Sequence, residues 1–372
     1  MRGHTLKFKV GLMTMKLILF VTIIILTKLN LQAQSKVSTA KDFTQQKEVF
    51  KKDTTHKYKY LFDNAYNEIK QMLEGKKPIS FKRAIFLTEN AFHEGKLDEK
   101  WYNNKIDTIE RQCKQMIADK GLQRKPTSGN WAIFGYMKQP IPYNNNQPCT
   151  YDIDNFTSKN PQSQFVYSLL KTKKGTCHSL PLLYLLLAQD LKAEAYLVSA
   201  PMHLFIKHKD QYGEWWNLEL TGGGYSRTSF IVESFQITDK QMESGFYMKA
   251  WNAKQTLAYL LEDLNNYYED KTGIYYDDFT LKVAELGLKY LPASQHLLAK
   301  SEVVKYKLDK DMDKVGIHDY SKIAPYPNLV KERLNYLALK KQIAATGYKS
   351  VSEEWYRGMV KKAFETKSAT TK

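Results

Sequence analysis

Only three cysteines occur in 372 residues, at 113, 149 and 177, which excludes a disulfide-framework fold and a zinc-ribbon site. Long apolar runs are missing too. The stretch Leu17–Leu26, LILFVTIIIL, ends before Lys28 and is shorter than the roughly 20 residues a spanning helix needs. There is no Walker loop, no HExxH and no Gly-rich dinucleotide fingerprint, and Thr221-Gly222-Gly223-Gly224 is too short for a phosphate loop and reads as a turn. Cys177-His178 has no partner cysteine at the spacing of a haem attachment motif. No acidic loop has a calcium-ligand pattern. These absences point to chemistry without a cofactor and without a metal. RNA-binding signatures, zinc-finger spacings and arginine-rich runs are likewise missing. The net charge of +17 comes from scattered lysines, the pattern of solvated faces, so nucleic acid is not an expected partner.

What the chain does have is apolar and aromatic material. It is 43% hydrophobic and 13% aromatic, with 25 tyrosines, which suits sizeable cores and excludes a disordered chain. The length suggests about two to three domains. Residues 1–34 combine a basic front (Arg2, Lys7, Lys9, Lys16), the apolar run and a small residue, Ala33, the layout of a secretory signal cleaved near Ala33-Gln34. Five of the positive charges and no acid fall there, leaving +12 on the remainder. An exported, periplasmic or secreted chain of that charge is suited to contact with anionic envelope surfaces.

Periodicity divides the rest. Helical spacing of Tyr60, Leu61, Ala65, Ile69 and Met72 predicts a first helix from Lys57 to Leu73. Ser80 is an N-cap for a second helix carrying Phe81, Ala84, Ile85, Leu87, Ala91 and Phe92, and a third runs from Glu99 to Ala118. These make residues 35–128 a helical N-terminal region, closed by a linker at Arg124–Asn130. Residues 129–240 read as α+β: loop from Pro140 to Asn160, helix at Gln162–Leu170, an apolar helix from His178 to Leu191, then extended runs at Ala195–Ala200, His203–His208 and Trp215–Leu220. KDQYGE between the last two is a hairpin turn. Residues 241–372 are helical again, with candidates at 253–268, 277–290, 294–308, 327–345 and 352–366.

The chemistry concentrates at Cys177. It follows Gly175-Thr176 and opens the apolar helix, and Pro181 supports that placement because proline is tolerated in a first helical turn. A helix N-terminus offers partial positive charge and free N–H groups, which favour thiolate and can hold an oxyanion. The thiol needs a base, and His203, at the start of a strand directly after Pro201-Met202, is placed to be aimed at it. His178 is less suited, because adjacent helical side chains point in different directions. A third group should orient the imidazole. Asn217 and Glu219 both qualify: they lie two apart on the strand WWNLEL and so share a face. Spacing alone does not choose between them. Trp131, Tyr151 and Gln164 lie upstream, and none has a distinct claim to the oxyanion. Cys113 and Cys149 are available to pair in an exported protein, although their spacing is not that of a framework.

The run KKGTCHSLPLLYLLLAQDL, then PMHLFIK, then GEWWNLELTGG, resembles the transglutaminase-like (papain-like cysteine peptidase) core: a Cys opening a helix, a His on the next strand and an acid on the strand after that. The family's third motif is a Trp, three variable residues, then Asp-Pro-Thr. Trp215 and Glu219-Leu220-Thr221 stand at that spacing, with Glu in place of Asp and Leu in place of Pro. The resemblance implies Cys177 as nucleophile, His203 as base and Glu219 as orienting carboxylate. Asn217 stays open, since papain-like enzymes use an Asn there. FKRAIFLTENAF, GTCHSLPLLY, PMHLFIKH and WNLELTGG also resemble exported Bacteroidetes proteins with such a core and a tetratricopeptide-like C-terminal part. Two functions are consistent with this pattern. One is a cysteine hydrolase, peptidase or amidase, or an acyltransferase, acting on a peptide or protein. The other is a catalytically silent module whose helices bind a peptide in a groove.

Overall fold

The computed structural model describes residues 57–156 and 160–370. The secretory segment expected at 1–34 lies outside them. No helix among the described residues is long and apolar enough to cross a membrane.

Four helices come first: α1 (Lys59–Leu73), α2 (Phe81–Phe92), α3 (Glu99–Asp119) and α4 (Ser128–Lys138). The α1 stripe that turns inward is Phe62, Ala65, Tyr66, Ile69, Met72 and Leu73, while Tyr60, expected in that stripe, is 57% exposed. One residue is 100° of helical rotation, and Phe62 lies i−3 from Ala65 where Tyr60 lies i−5. Ser80 caps α2, its hydroxyl accepting the Arg83 N–H. Ser128-Gly129-Asn130, expected in a linker, form the first turn of α4. Asn130 is buried there, bonded to the Glu194 carbonyl and the Tyr184 hydroxyl. Polar composition suggests a loop, but tertiary partners for the polar groups allow a buried helix.

Next come β1 (Thr150–Tyr151), α5 (Val166–Thr172), β2 (Lys174–Gly175) and α6 (Ser179–Leu191). β1 pairs with β2 in parallel, Tyr151 opposite Gly175, which ties Tyr151 to the residue two before Cys177. Helix α5 is capped at long range: both carboxylate oxygens of Glu89, on α2, accept the Val166 and Tyr167 N–H groups at 2.6 and 3.0 Å. Helix α6 is buried on every side from Ser179 to Ala188, as its nearly all-apolar sequence demands.

An antiparallel sheet follows in the order β3 (Tyr196–Ala200), β4 (His203–Lys209), β5 (Trp215–Glu219) and β6 (Gly224–Ser226). β6 was not among the expected strands; it is short and follows directly on the Gly-rich turn. Side-chain alternation gives the sheet two faces. Leu197, Leu204, Ile206 and Leu218 join the large core that also contains α6 and the first helices. Val198, Ala200 and Phe205 face a smaller core built by Ile231, Ile237, Phe246, Tyr247 and Met248. Two short helices, α7 (Thr228–Ser234) and α8 (Asp239–Glu243), lie in that covering segment. The free side of β3 is closed by backbone bonds from Met248 and Trp251.

The chain ends in α9 (Ala253–Thr272), α10 (Asp278–Tyr290), α11 (His296–Lys314), α12 (Pro327–Ala345) and α13 (Glu353–Thr370). α9 contributes Leu257, Leu261, Leu264 and Tyr268 to the large core alongside Phe62 of α1 and Phe279 of α10. The whole is an α+β fold, a small antiparallel sheet with helical flanks, as the sequence leads one to expect.

Candidate active site

Cys177 lies in the connection between β2 and α6. Thr176 N–H donates to the Ser179 hydroxyl at 3.0 Å, and the Thr176 hydroxyl accepts the His178 N–H at 3.2 Å. These bonds hold the cysteine at the helix entrance. Gly175 is needed for the approach: a Cβ there would stand 3.0 Å from Leu169, Leu180 and Ser179 at once. Packing of α5 against α6 therefore sets the position of the cysteine.

His203 is delivered by a two-residue hairpin, with Ala200 pairing with His203 across Pro201-Met202. Met202 adopts φ +54°, a left-handed backbone that a residue with a Cβ takes up only under constraint. Its carbonyl oxygen stands 3.8 Å from the Cys177 sulfur. His203 and Phe205 share a face of β4, and the imidazole stacks on Phe235 with centroids 5.0 Å apart.

The register decides the third residue. Ile206 pairs with Leu218 across β4 and β5, which sets Glu219 opposite Phe205 and one diagonal from His203. Nε2 of His203 meets both Glu219 oxygens, at 3.1 and 2.9 Å. Asn217 is buried on the same strand face but pairs with Lys207, farther along β4, and its amide donates to the Ser226 carbonyl and the Thr228 hydroxyl, each at 3.0 Å. The structure thus brings Cys177, His203 and Glu219 together and places Asn217 in the anchoring of β6 and α7.

With Nε2 on Glu219, Nδ1 is the imidazole nitrogen left for the thiol. It is buried and has no other hydrogen-bond partner. Burial pushes the Cys177 thiol up, but the hydrogen bond and charge of His203, with the Tyr356 hydroxyl, bring it below its ordinary value. Burial pulls His203 down, while the charge of Glu219 and the contact with Cys177 raise it to about 10. The two shifts act in the same sense, favouring a proton on the imidazole and a thiolate at the sulfur. The other two cysteines behave in the opposite way. Cys113 and Cys149 are free and buried, and burial drives the Cys113 thiol up to about 12.

His178 points away from this pair. Its Nδ1 lies 2.9 Å from the Gln164 carbonyl and its Nε2 3.0 Å from Asp263 on α9. A carbonyl only accepts, so Nδ1 carries a proton. Burial lowers its pKa, and the charge and hydrogen bond of Asp263 together with that carbonyl raise it to about 9.

Residues 100–236 match the family model described as the Transglutaminase-like superfamily. Over that segment, a little over a third of the chain, the protein is similar to the family. The chain matches no curated protein and no solved structure. The match opens within α3 and closes just after α7, so the matched segment includes Cys177, His203 and Glu219. Two residues at the site lie outside it: Asp263, the partner of His178, and Tyr356 of α13, whose hydroxyl stands 3.5 Å from the Cys177 sulfur. Neither carries a local sequence signal, because each is brought in from a distant helix. Of the three upstream residues considered for the oxyanion, Tyr151 is at the site: its hydroxyl contacts that of Tyr356, and burial, with the charge of the Cys177 sulfur, raises its pKa. Trp131 is 42% exposed on α4, and Gln164 holds His178 and Thr176.

Proposed function

We propose that the protein is an exported cysteine hydrolase, a peptidase or amidase, working through Cys177, His203 and Glu219. The observation that carries this reading is the imidazole of His203, anchored at Nε2 by a carboxylate and left with one buried nitrogen for a thiol. His178, by contrast, has both ring nitrogens satisfied. In the proposed reaction the Cys177 thiolate attacks an amide carbonyl and forms the C–S bond. The oxyanion is held at the helix entrance. His203 then passes its Nδ1 proton to the leaving nitrogen as the C–N bond breaks, which gives a thioester and free amine. Water, deprotonated by His203, attacks the thioester, and the acid leaves as the thiol is regenerated. An amine in place of the water turns the same intermediate into acyl transfer. Glu219 keeps the imidazole in place and stabilises its charged form throughout.

The test is the pH profile of Cys177 alkylation by iodoacetamide, followed by mass spectrometry in wild type and His203→Ala. Expected is a wild-type profile that remains reactive well below pH 7 and a variant profile shifted to the free-thiol range, near pKa ~8.5, or above it. Coincident profiles in the two proteins would sink the catalytic reading and leave the silent binding module.

A further inference from the structure

Helix α13 stands apart from the other C-terminal helices in how it is held. Among its described side chains from Glu353 to Lys361, only Tyr356 and Val360 are buried, one turn apart on a single narrow stripe. Its start is capped locally, by the Ser352 hydroxyl accepting the Trp355 N–H, and reinforced by the exposed Glu353–Arg357 pair. The chain before it is anchored at Thr346, whose carbonyl accepts the Ser244 hydroxyl, and at Tyr348, which packs on Phe246. Residues 349–352 connect that anchor to the helix and belong to no helix or strand.

Through this narrow contact α13 puts one side chain into the reaction centre. Tyr356 is 2% exposed, and its hydroxyl is 3.5 Å from the Cys177 sulfur. Phe156 flanks its ring at 6.0 Å, and the Arg357 guanidinium covers Phe156 from outside. The Met202 carbonyl contacts the sulfur as well. Cys177 is left 6% exposed. A carbonyl carbon has to come within about 3–3.5 Å of the sulfur for attack. The phenol already occupies a position at that distance, so a bound substrate and a seated Tyr356 exclude each other.

We propose that α13 is an intramolecular plug of the thiol site, with Tyr356 seated where the substrate binds, and that the helix must lift off before Cys177 can react. This rests on Cys177 being the nucleophile. It gives the chain's own C-terminal segment control over access. Among the described side chains of α13, Tyr356 and Val360 are the buried ones, and neither belongs to any of the four hydrophobic cores of the described residues, so the opening is local.

The experiment is iodoacetamide labelling of the full chain at fixed pH, with Cys177, Cys113 and Cys149 quantified separately. Tyr356→Ala removes the plug. Val360→Asp, one turn from the site, unseats the helix without touching the residues around the sulfur. Tyr356→Phe keeps the ring and drops the hydroxyl. Expected is a rise of at least tenfold in the Cys177 rate for Tyr356→Ala and for Val360→Asp, and a rate within threefold of wild type for Tyr356→Phe. Cys113 and Cys149, buried away from α13, should stay unlabelled and report an intact fold. Wild-type rates in both Tyr356→Ala and Val360→Asp overturn the plug, as does a Tyr356→Phe rate as high as that of the alanine variant. The plug shows in the amplitude of labelling and the His203 pairing in the shape of its pH profile. A fast Tyr356→Ala whose profile ignores His203 therefore defeats the catalytic reading alone, and a His203-dependent profile with unchanged amplitude defeats the plug alone.

Discussion

Two buried histidine–carboxylate pairs lie on either side of Cys177, and they differ in one nitrogen. His203 meets Glu219 at 2.9 Å and His178 meets Asp263 at 3.0 Å, both largely out of solvent. In each, the carboxylate raises an imidazole that burial alone would lower. The second nitrogen of His178 is already on a backbone carbonyl, whereas that of His203 has no partner except the thiol. His296 extends the series: buried, with Nε2 on the Ala258 carbonyl and 3.8 Å from Glu262, it is nonetheless pushed down to about 4 by burial. A nearby acid therefore does not by itself make a histidine cationic, and a vacant nitrogen is what makes one available as a base.

The largest expected effect breaks the structural pair. Asp263→Asn leaves a buried imidazole without its counter-charge and should cost about 3–5 kcal/mol of stability, read from chemical unfolding. The pH dependence has a definite sign. A histidine whose folded pKa is raised stabilises the fold fully below its ordinary value of 6.5, and that contribution is lost as pH rises through about 9 for His178. Wild type should therefore lose stability between those limits. The variant should lack the His178 part of the slope and keep the part due to His203, which extends to about 10. Cys177 alkylation in the variant should stay within threefold of wild type. A larger change would mean that the structural pair also governs the thiol.

Next in size is the base itself. His203→Ala should slow Cys177 alkylation at pH 6 by about two decades, since the thiolate loses its imidazolium partner and a shift of one pKa unit is about 1.4 kcal/mol. Glu219→Gln keeps a hydrogen-bond acceptor for Nε2 and removes the charge. It should lower the His203 pKa, measurable by NMR titration, and slow the same reaction about tenfold. The smallest effect belongs to Asn217→Ala. Its amide bonds hold β6 and the first turn of α7, so about 1–2 kcal/mol of stability should be lost. Thiol reactivity should be unchanged, and a tenfold loss there would give Asn217 a part in orienting the imidazole after all.

Much of the site was legible locally. Gly175-Thr176-Cys177 ahead of an apolar helix announces a cysteine at a helix entrance, and Pro201-Met202-His203 a histidine at the start of a strand. Glu219 and Asn217 were indistinguishable because two residues apart on a strand always share a face. The pairing of Ile206 with Leu218 separates them, and register belongs to the hairpin as a whole. Asp263 and Tyr356 come from 85 and 179 residues away from their partners and leave no periodic trace. The short elements β6, α7 and α8 escape for a related reason: their sequences are too brief for a period to emerge, and β6 forms by pairing with β5 while α7 and α8 lie in the segment that covers one face of the sheet.

The sequence by itself determined the long helices, the hairpin order of the strands, and the placing of a cysteine at a helix entrance and a histidine at a strand start. Local backbone preference and apolar spacing act over a few residues and are written there in full. Only the tertiary structure decided which acid meets His203, that its other nitrogen is left for the thiol, and that a tyrosine from the last described helix sits on the sulfur. Those outcomes depend on distances between chain segments far apart in sequence, which only the packing of the cores sets.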